Sequence, residues 1–396
     1  MQRLQPTRFH RELHRILEER EPEMLRWYAS ETFTAERSEA AELDLLRSSY
    51  RLGREAHERP YRLAEKAAEA LGVTVPVTLY QLTGTTQANA MLFFDPRHAH
   101  VGLAGPVLAW LSDDELIAIL GHELAHHLLF TVDEGRYRAT CALVNAAATK
   151  SGTFTASAVR LDNWNEVFCD RGALVACGSL DAAVRALLRV STGLEGVSAV
   201  DYLKQAEDVV SRLERSPTKA TASTHPEDAV RIVALARWHR DGDAADDAIA
   251  NLVEGEKDIT ALDLRQQRGL LRATREALDR LFEPSWFRSE ALLAHAAAFF
   301  VGYVPGLPSA EFVVTAAADA EYLAYVLLDF VVADPDMSDV ALAHAWLVAG
   351  SLGLRDAMTN VLRKDLKMTI AAVNALDKKA RTVVEGAEPQ QRSERA

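Results

Sequence analysis

Residues 112–130, SDDELIAILGHELAHHLLF, constrain the fold more than any other stretch of the chain. Ser112 and Glu115 form the S-x-x-E capping box, in which the hydroxyl caps the first turn while the glutamate reaches back. Asp113 and Asp114 suit the positive end of the helix that follows. The spacing predicts a helix running to about Phe130. Gly121 sits in its middle, where glycine costs up to ~1 kcal/mol relative to alanine. A tolerated cost there points to close packing or a nearby ligand. His122, Glu123, His126 and His127 follow it, four ionisable groups on an otherwise apolar element.

Residues four apart share a helix face. Two pairs obey this spacing, His122 with His126 and Glu123 with His127. The first pair leaves Glu123 displaced around the helix, able to reach a water on a metal held by the two imidazoles. The second would leave two histidines without a duty. H-E-x-x-H is the pattern in which two imidazoles hold zinc and the glutamate acts as base. A catalytic zinc needs a third protein ligand and one open position. NEVFCD, residues 165–170, offers Glu166 for the ligand set and Asp170 one turn on, able to accept the far N–H of a ligand imidazole. Acids at this spacing are usually a solvated face, but here their neighbours Val167, Phe168, Ala173, Leu174 and Val175 are apolar. Cys169, three positions from Glu166, can bring its sulfur close to such a metal, although a small buried core residue is its ordinary role.

Around this element, residues 8–70 read as helical, and 75–84, 89–94 and 98–105 as short strands, with DPR at 95–97 as a turn. Residues 151–162 read as a loop, followed by a helix from Asn163 to near Gly178. RSPTKATASTHPED, 215–228, reads as a loop, with a helix after Pro226. Beyond about residue 245 only helical patterns occur. The expected fold class is α+β, mainly α, with a small antiparallel sheet. The expected division is a helical segment over 1–60, a catalytic domain over 61–243, a helical domain over 244–385 and a disordered tail over 386–396.

The chain has 396 residues and a net charge of −13 at pH 7, which argues against general nucleic-acid binding and docking on anionic membranes. No apolar run reaches the ~18 residues of a spanning helix. The N-terminus lacks the apolar core of a signal peptide. Three cysteines without C-x-x-C give neither a disulfide framework nor a cysteine zinc site, so a cytoplasmic setting is expected.

The ordered set HELAH at 122–126, Glu166 with Asp170, and Thr224, His225, Pro226 with Arg231 resembles the HtpX-like zinc metallopeptidases, the family that includes the type 1 CAAX prenyl proteases. The likeness covers about residues 60–240. It implies a gluzincin-type metallopeptidase domain that hydrolyses peptide bonds, with Zn2+ on His122, His126 and Glu166, Glu123 as general base and Asp170 supporting the ligands. It also implies that His225 and Arg231 approach the site. His225 has two readings, as donor to the oxyanion or as a latch on the open zinc position. Cys169 stands where the resemblance leads one to expect a small residue such as alanine. The expected function is therefore a zinc endopeptidase acting on protein or peptide substrates, an extended substrate pairing with a strand edge near NAMLFF. The rival is a latent zinc-bound module that binds a protein partner through the helical C-terminal domain.

Overall fold

The computed structural model describes residues 4–30, 42–215, 228–309, 312, 314 and 317–394. The chain divides into two units, residues 1–256 with 263–265, and residues 257–262 with 266–396.

In the first unit, α1 (Arg8–Arg20) precedes a sheet of β1 (Ser49–Arg51), β2 (Val77–Leu82), β3 (Asn89–Asp95) and β4 (His98–Ala104). Helix α2 (Glu58–Leu71) lies between β1 and β2 in sequence and ends on Gly72, whose φ of 71° provides a left-handed cap. The strand order is β1-β2-β4-β3. β3 and β4 form an antiparallel hairpin, whereas β2 and β4 run parallel, Val77 opposite Ala99 through Gln81 opposite Leu103. The sheet is thus mixed, where a small antiparallel one was expected. Burial explains the difference: β4 is buried over six consecutive residues and takes the centre, while β3 is only partly covered and takes the edge. β1 falls inside a stretch read as helical, and three residues carry too little pattern to betray a strand.

Helix α3 (Asp113–Thr131) starts on the expected box: the Glu115 N–H donates to Ser112 Oγ at 3.4 Å, and the Ser112 N–H donates to Glu115 Oε2 at 2.9 Å. The buried Glu115 carboxylate also receives Arg189 at 2.8 Å and Arg185 at 3.2 Å. Both arginines lie on α6 (Leu180–Thr192), so the pairing ties that helix to the start of α3. Helix α4 (Arg136–Ala148) comes next, then α5 (Gly152–Cys177). The latter begins at Gly152, not Asn163 as read from the sequence. Ser, Thr and Gly at 151–157 resemble a loop, but Ser151 caps the helix and Ser157, Ala158 and Leu161 are buried, so tertiary burial outweighs weak local propensity. Helices α7 (Ala199–Arg215) and α8 (Asp228–Asp241) follow.

Helices α3 and α5 approach each other through small residues. A methyl at Gly121 would lie 2.3 Å from Ala176 Cβ, and one at Gly172 would lie 2.3 Å from Ala125 Cβ. Gly121 and Ala125 on one helix and Gly172 and Ala176 on the other are each four apart, so each helix offers a bare stripe to its neighbour. The close approach also brings α1 to the same place: His10, fully buried, meets Asn165 Oδ1 through its Nε2 at 3.0 Å.

In the second unit every described element is helical. Leu264–Leu281, Glu290–Phe299, Ala317–Val332, Ser338–Ser351 and Arg355–Lys364 surround a core that includes Phe282, Phe287 and Phe330. Ile370–Glu394 carries helix through most of the segment expected to be a disordered tail. Among the described residues, no helix is long and apolar enough to cross a membrane.

Replacing Gly172 with valine inserts a branched side chain where one methyl is already too close. Overpacking of this kind costs about 1–3 kcal/mol, so the urea unfolding midpoint of Gly172→Val should fall clearly below that of the parent. An unchanged midpoint would mean the two helices do not touch there.

Candidate metal centre

The site forms where α3, α5 and α8 meet beneath the edge of β3. His122 and His126 project from one face of α3, and Glu166 comes from α5. His122 Nε2 lies 3.5 Å from Glu166 Oε2, and His126 Nε2 lies 3.6 Å from Glu166 Oε1. Zinc bonds of 2.0–2.1 Å in a tetrahedral arrangement put ligand atoms about 3.4 Å apart. The two imidazoles and the carboxylate therefore have the donor chemistry and the spacing that such an ion requires. The competing pair is separated: His127 is buried and its Nε2 donates to the Asp95 carbonyl at 2.9 Å, fastening the end of β3.

Asp170 behaves as its position one turn beyond Glu166 suggested. Its Oδ1 meets His122 Nδ1 at 3.1 Å, which directs Nε2 towards Glu166. Arg231, on α8, grips the same carboxylate with two hydrogen bonds, Nε to Oδ2 at 2.8 Å and Nη2 to Oδ1 at 2.6 Å. Its Nη2 also lies 3.1 Å from Glu166 Oε2. His225 lies outside the described residues.

These contacts set the protonation states. Burial pushes the His122 ring down, but hydrogen bonds to Asp170 and Glu166 outweigh it and raise its pKa to about 10. Burial lowers His126 to about 4, and repulsion from His122 adds to the effect. Glu166 is held well below the usual carboxylate range despite burial, first by its hydrogen bond from His122 and then by the charges of His122 and Arg231. Asp170 is likewise lowered despite burial, chiefly by Arg231. Glu123 goes the other way. Burial raises it to about 7, with the nearby Glu166 charge acting in the same sense, while a hydrogen bond from the Leu92 backbone N–H opposes the rise. A carboxylate with a pKa near neutrality can both take and return a proton.

The groove over the site encloses about 660 Å³. Ala90, Met91 and Leu92 of β3 line one side, and Val184, Leu187 and Ile232 line the apolar other side. One participant had no sequence signal: the Leu92 N–H, which reaches Glu123 because of strand register. The resemblance brought Arg231 to the site, but its grip on Asp170 depends on how α8 packs.

Residues 56–239 match the model of peptidase family M48. No significant match was found among curated proteins or solved structures. The matched segment contains β2 to β4, both imidazoles, Glu123, Glu166, Asp170 and Arg231. Residues 56–239 are thus similar to peptidase family M48, a family of metallopeptidases.

Proposed function

We propose that the protein is a zinc-dependent endopeptidase, with His122, His126 and Glu166 holding the ion and Glu123 acting as general base. The observation that carries this reading is the convergence of both imidazole Nε2 atoms on the two oxygens of Glu166, at 3.5 and 3.6 Å, beside a carboxyl raised to about 7. When bound there, zinc would acidify a water and polarise the scissile carbonyl. Glu123 takes the proton from the attacking water and returns it to the leaving amine. Asp170 keeps the His122 tautomer that leaves Nε2 free. Arg231 is assigned to positioning rather than to chemistry, because its contacts are to Asp170 and Glu166. His225 lies outside the described residues, and both of its readings, donor to the oxyanion and latch on the open position, stand.

The substrate is an extended peptide laid along the outer edge of β3. Among the described residues this strand pairs only with β4, and its residues 89–92 line the groove. Strand addition then gives affinity through the main chain, while alternate side chains enter the groove.

Casein digestion is the direct test. Glu123→Gln should keep zinc and lose about 10²–10⁴-fold in kcat; undiminished hydrolysis would remove Glu123 as base. His126→Ala should lose zinc by elemental analysis, and stoichiometric retention would reject the ligand set. Asp170→Asn should weaken zinc binding by about 10–100-fold. A protein that holds zinc yet cleaves nothing would instead favour the latent partner-binding module. The base must be ionised to work, so kcat/KM should rise with pH through an acid limb at or below about 7, since a bound cation lowers the Glu123 value. That limb should vanish in Glu123→Gln if residual activity is measurable.

A further inference from the structure

We propose that Cys169 is a second, softer donor at this centre, replacing Glu166 when a thiophilic divalent ion such as Cd2+ enters between His122 and His126. The proposal rests on the metal centre assigned above and extends it to a different ion. One ligand atom from each of His122, His126 and Cys169 lies within 4.8 Å of the others. Glu166 and Cys169 are three apart on α5, so both side chains reach the same face of α3. The thiol is fully buried, and among the described residues it makes no hydrogen bond. The other two cysteines are engaged: Cys141 Sγ accepts from Asn165 Nδ2 at 3.8 Å, and Cys177 donates to the Ser179 carbonyl at 3.3 Å. Cys169 alone is a buried sulfur aimed at the imidazoles without a partner.

Two further features make the exchange feasible. Sulfur needs to stand about 3.5 Å from the imidazole nitrogens to share an ion with them, a closing movement of about 1.3 Å at most from separations within 4.8 Å. Glu166, once released, does not become a bare buried anion, because Arg231 Nη2 already stands 3.1 Å from its Oε2. Thiolate ligands select soft ions, whereas carboxylate suits harder ones. The thiol proton and the proton on His122 both leave to solvent as the ion binds, so two positive charges go out as two come in, and no redox step is involved.

The test uses the full chain stripped of metal with EDTA and titrated with Cd2+ or Zn2+ separately. Wild type with Cd2+ should develop a near-ultraviolet thiolate-to-metal charge-transfer band. The band should persist in Glu166→Gln and be absent in Cys169→Ala. Cys169→Ala should bind Cd2+ roughly tenfold or more weaker while its Zn2+ affinity changes much less. A wild type without the band, or a band that survives in Cys169→Ala and so belongs to Cys141 or Cys177, overturns the proposal. Casein hydrolysis by the wild-type zinc form reads the peptidase assignment separately. Failure to bind either ion would remove both.

Discussion

The near-contact of α3 and α5 through Gly121, Ala125, Gly172 and Ala176 is what the site depends on. Two helices with ordinary side chains between them stand 8–10 Å apart. At such a separation, imidazoles on one helix and a carboxylate on the other would have to span the gap with extended, mobile side chains. Bare stripes remove that barrier, and the donor atoms come within 3.6 Å of each other. The helical cost of each glycine is local and small, while its effect is on the geometry of the whole centre.

That approach creates an electrostatic problem. Glu123, Glu166 and Asp170 are brought together in a largely buried space, where unpaired anions are expensive. Arg231 answers two of them, and the His122 ring, raised to about 10, answers the same two from the other side. Glu123 feels both charges less strongly than it feels burial, and its pKa rises to about 7. The proton on His122 stands in for part of the charge that a divalent cation would bring, so metal and protons compete for the centre. The same crowding sets apart three carboxylates that look alike in sequence: Glu166 faces both imidazoles, Asp170 meets His122 Nδ1, and Glu123 is raised towards neutrality.

Much of this was legible beforehand. The capping box at Ser112 and Glu115 and the four-residue spacings of His122 with His126 and Glu166 with Asp170 depend on local geometry that any helix imposes. The sense of Gly121 was legible too, because a helix breaker in an apolar helix needs a neighbour to justify it. Residues 151–162 misled for a corresponding reason: their composition is that of a loop, and only burial of Ser157, Ala158 and Leu161 against the rest of the unit makes them helix. The parallel pairing of β2 with β4 was hidden because strand order is a non-local choice, decided by which strand is buried most completely.

By itself the sequence determined which residues could act together on one helix, since 3.6 residues per turn places His122 and His126 side by side in any context. It also determined the kinds of donor on offer, two imidazoles, several carboxylates and one neighbouring thiol. Only the tertiary structure decided that Glu166 faces both imidazoles, that Arg231 clamps Asp170, that the Leu92 amide reaches Glu123, and that the Cys169 sulfur is buried within 4.8 Å of the imidazole nitrogens. Those facts join residues far apart in the chain. Their distances are set by how closely helices pack and how strands register, neither of which any local spacing encodes.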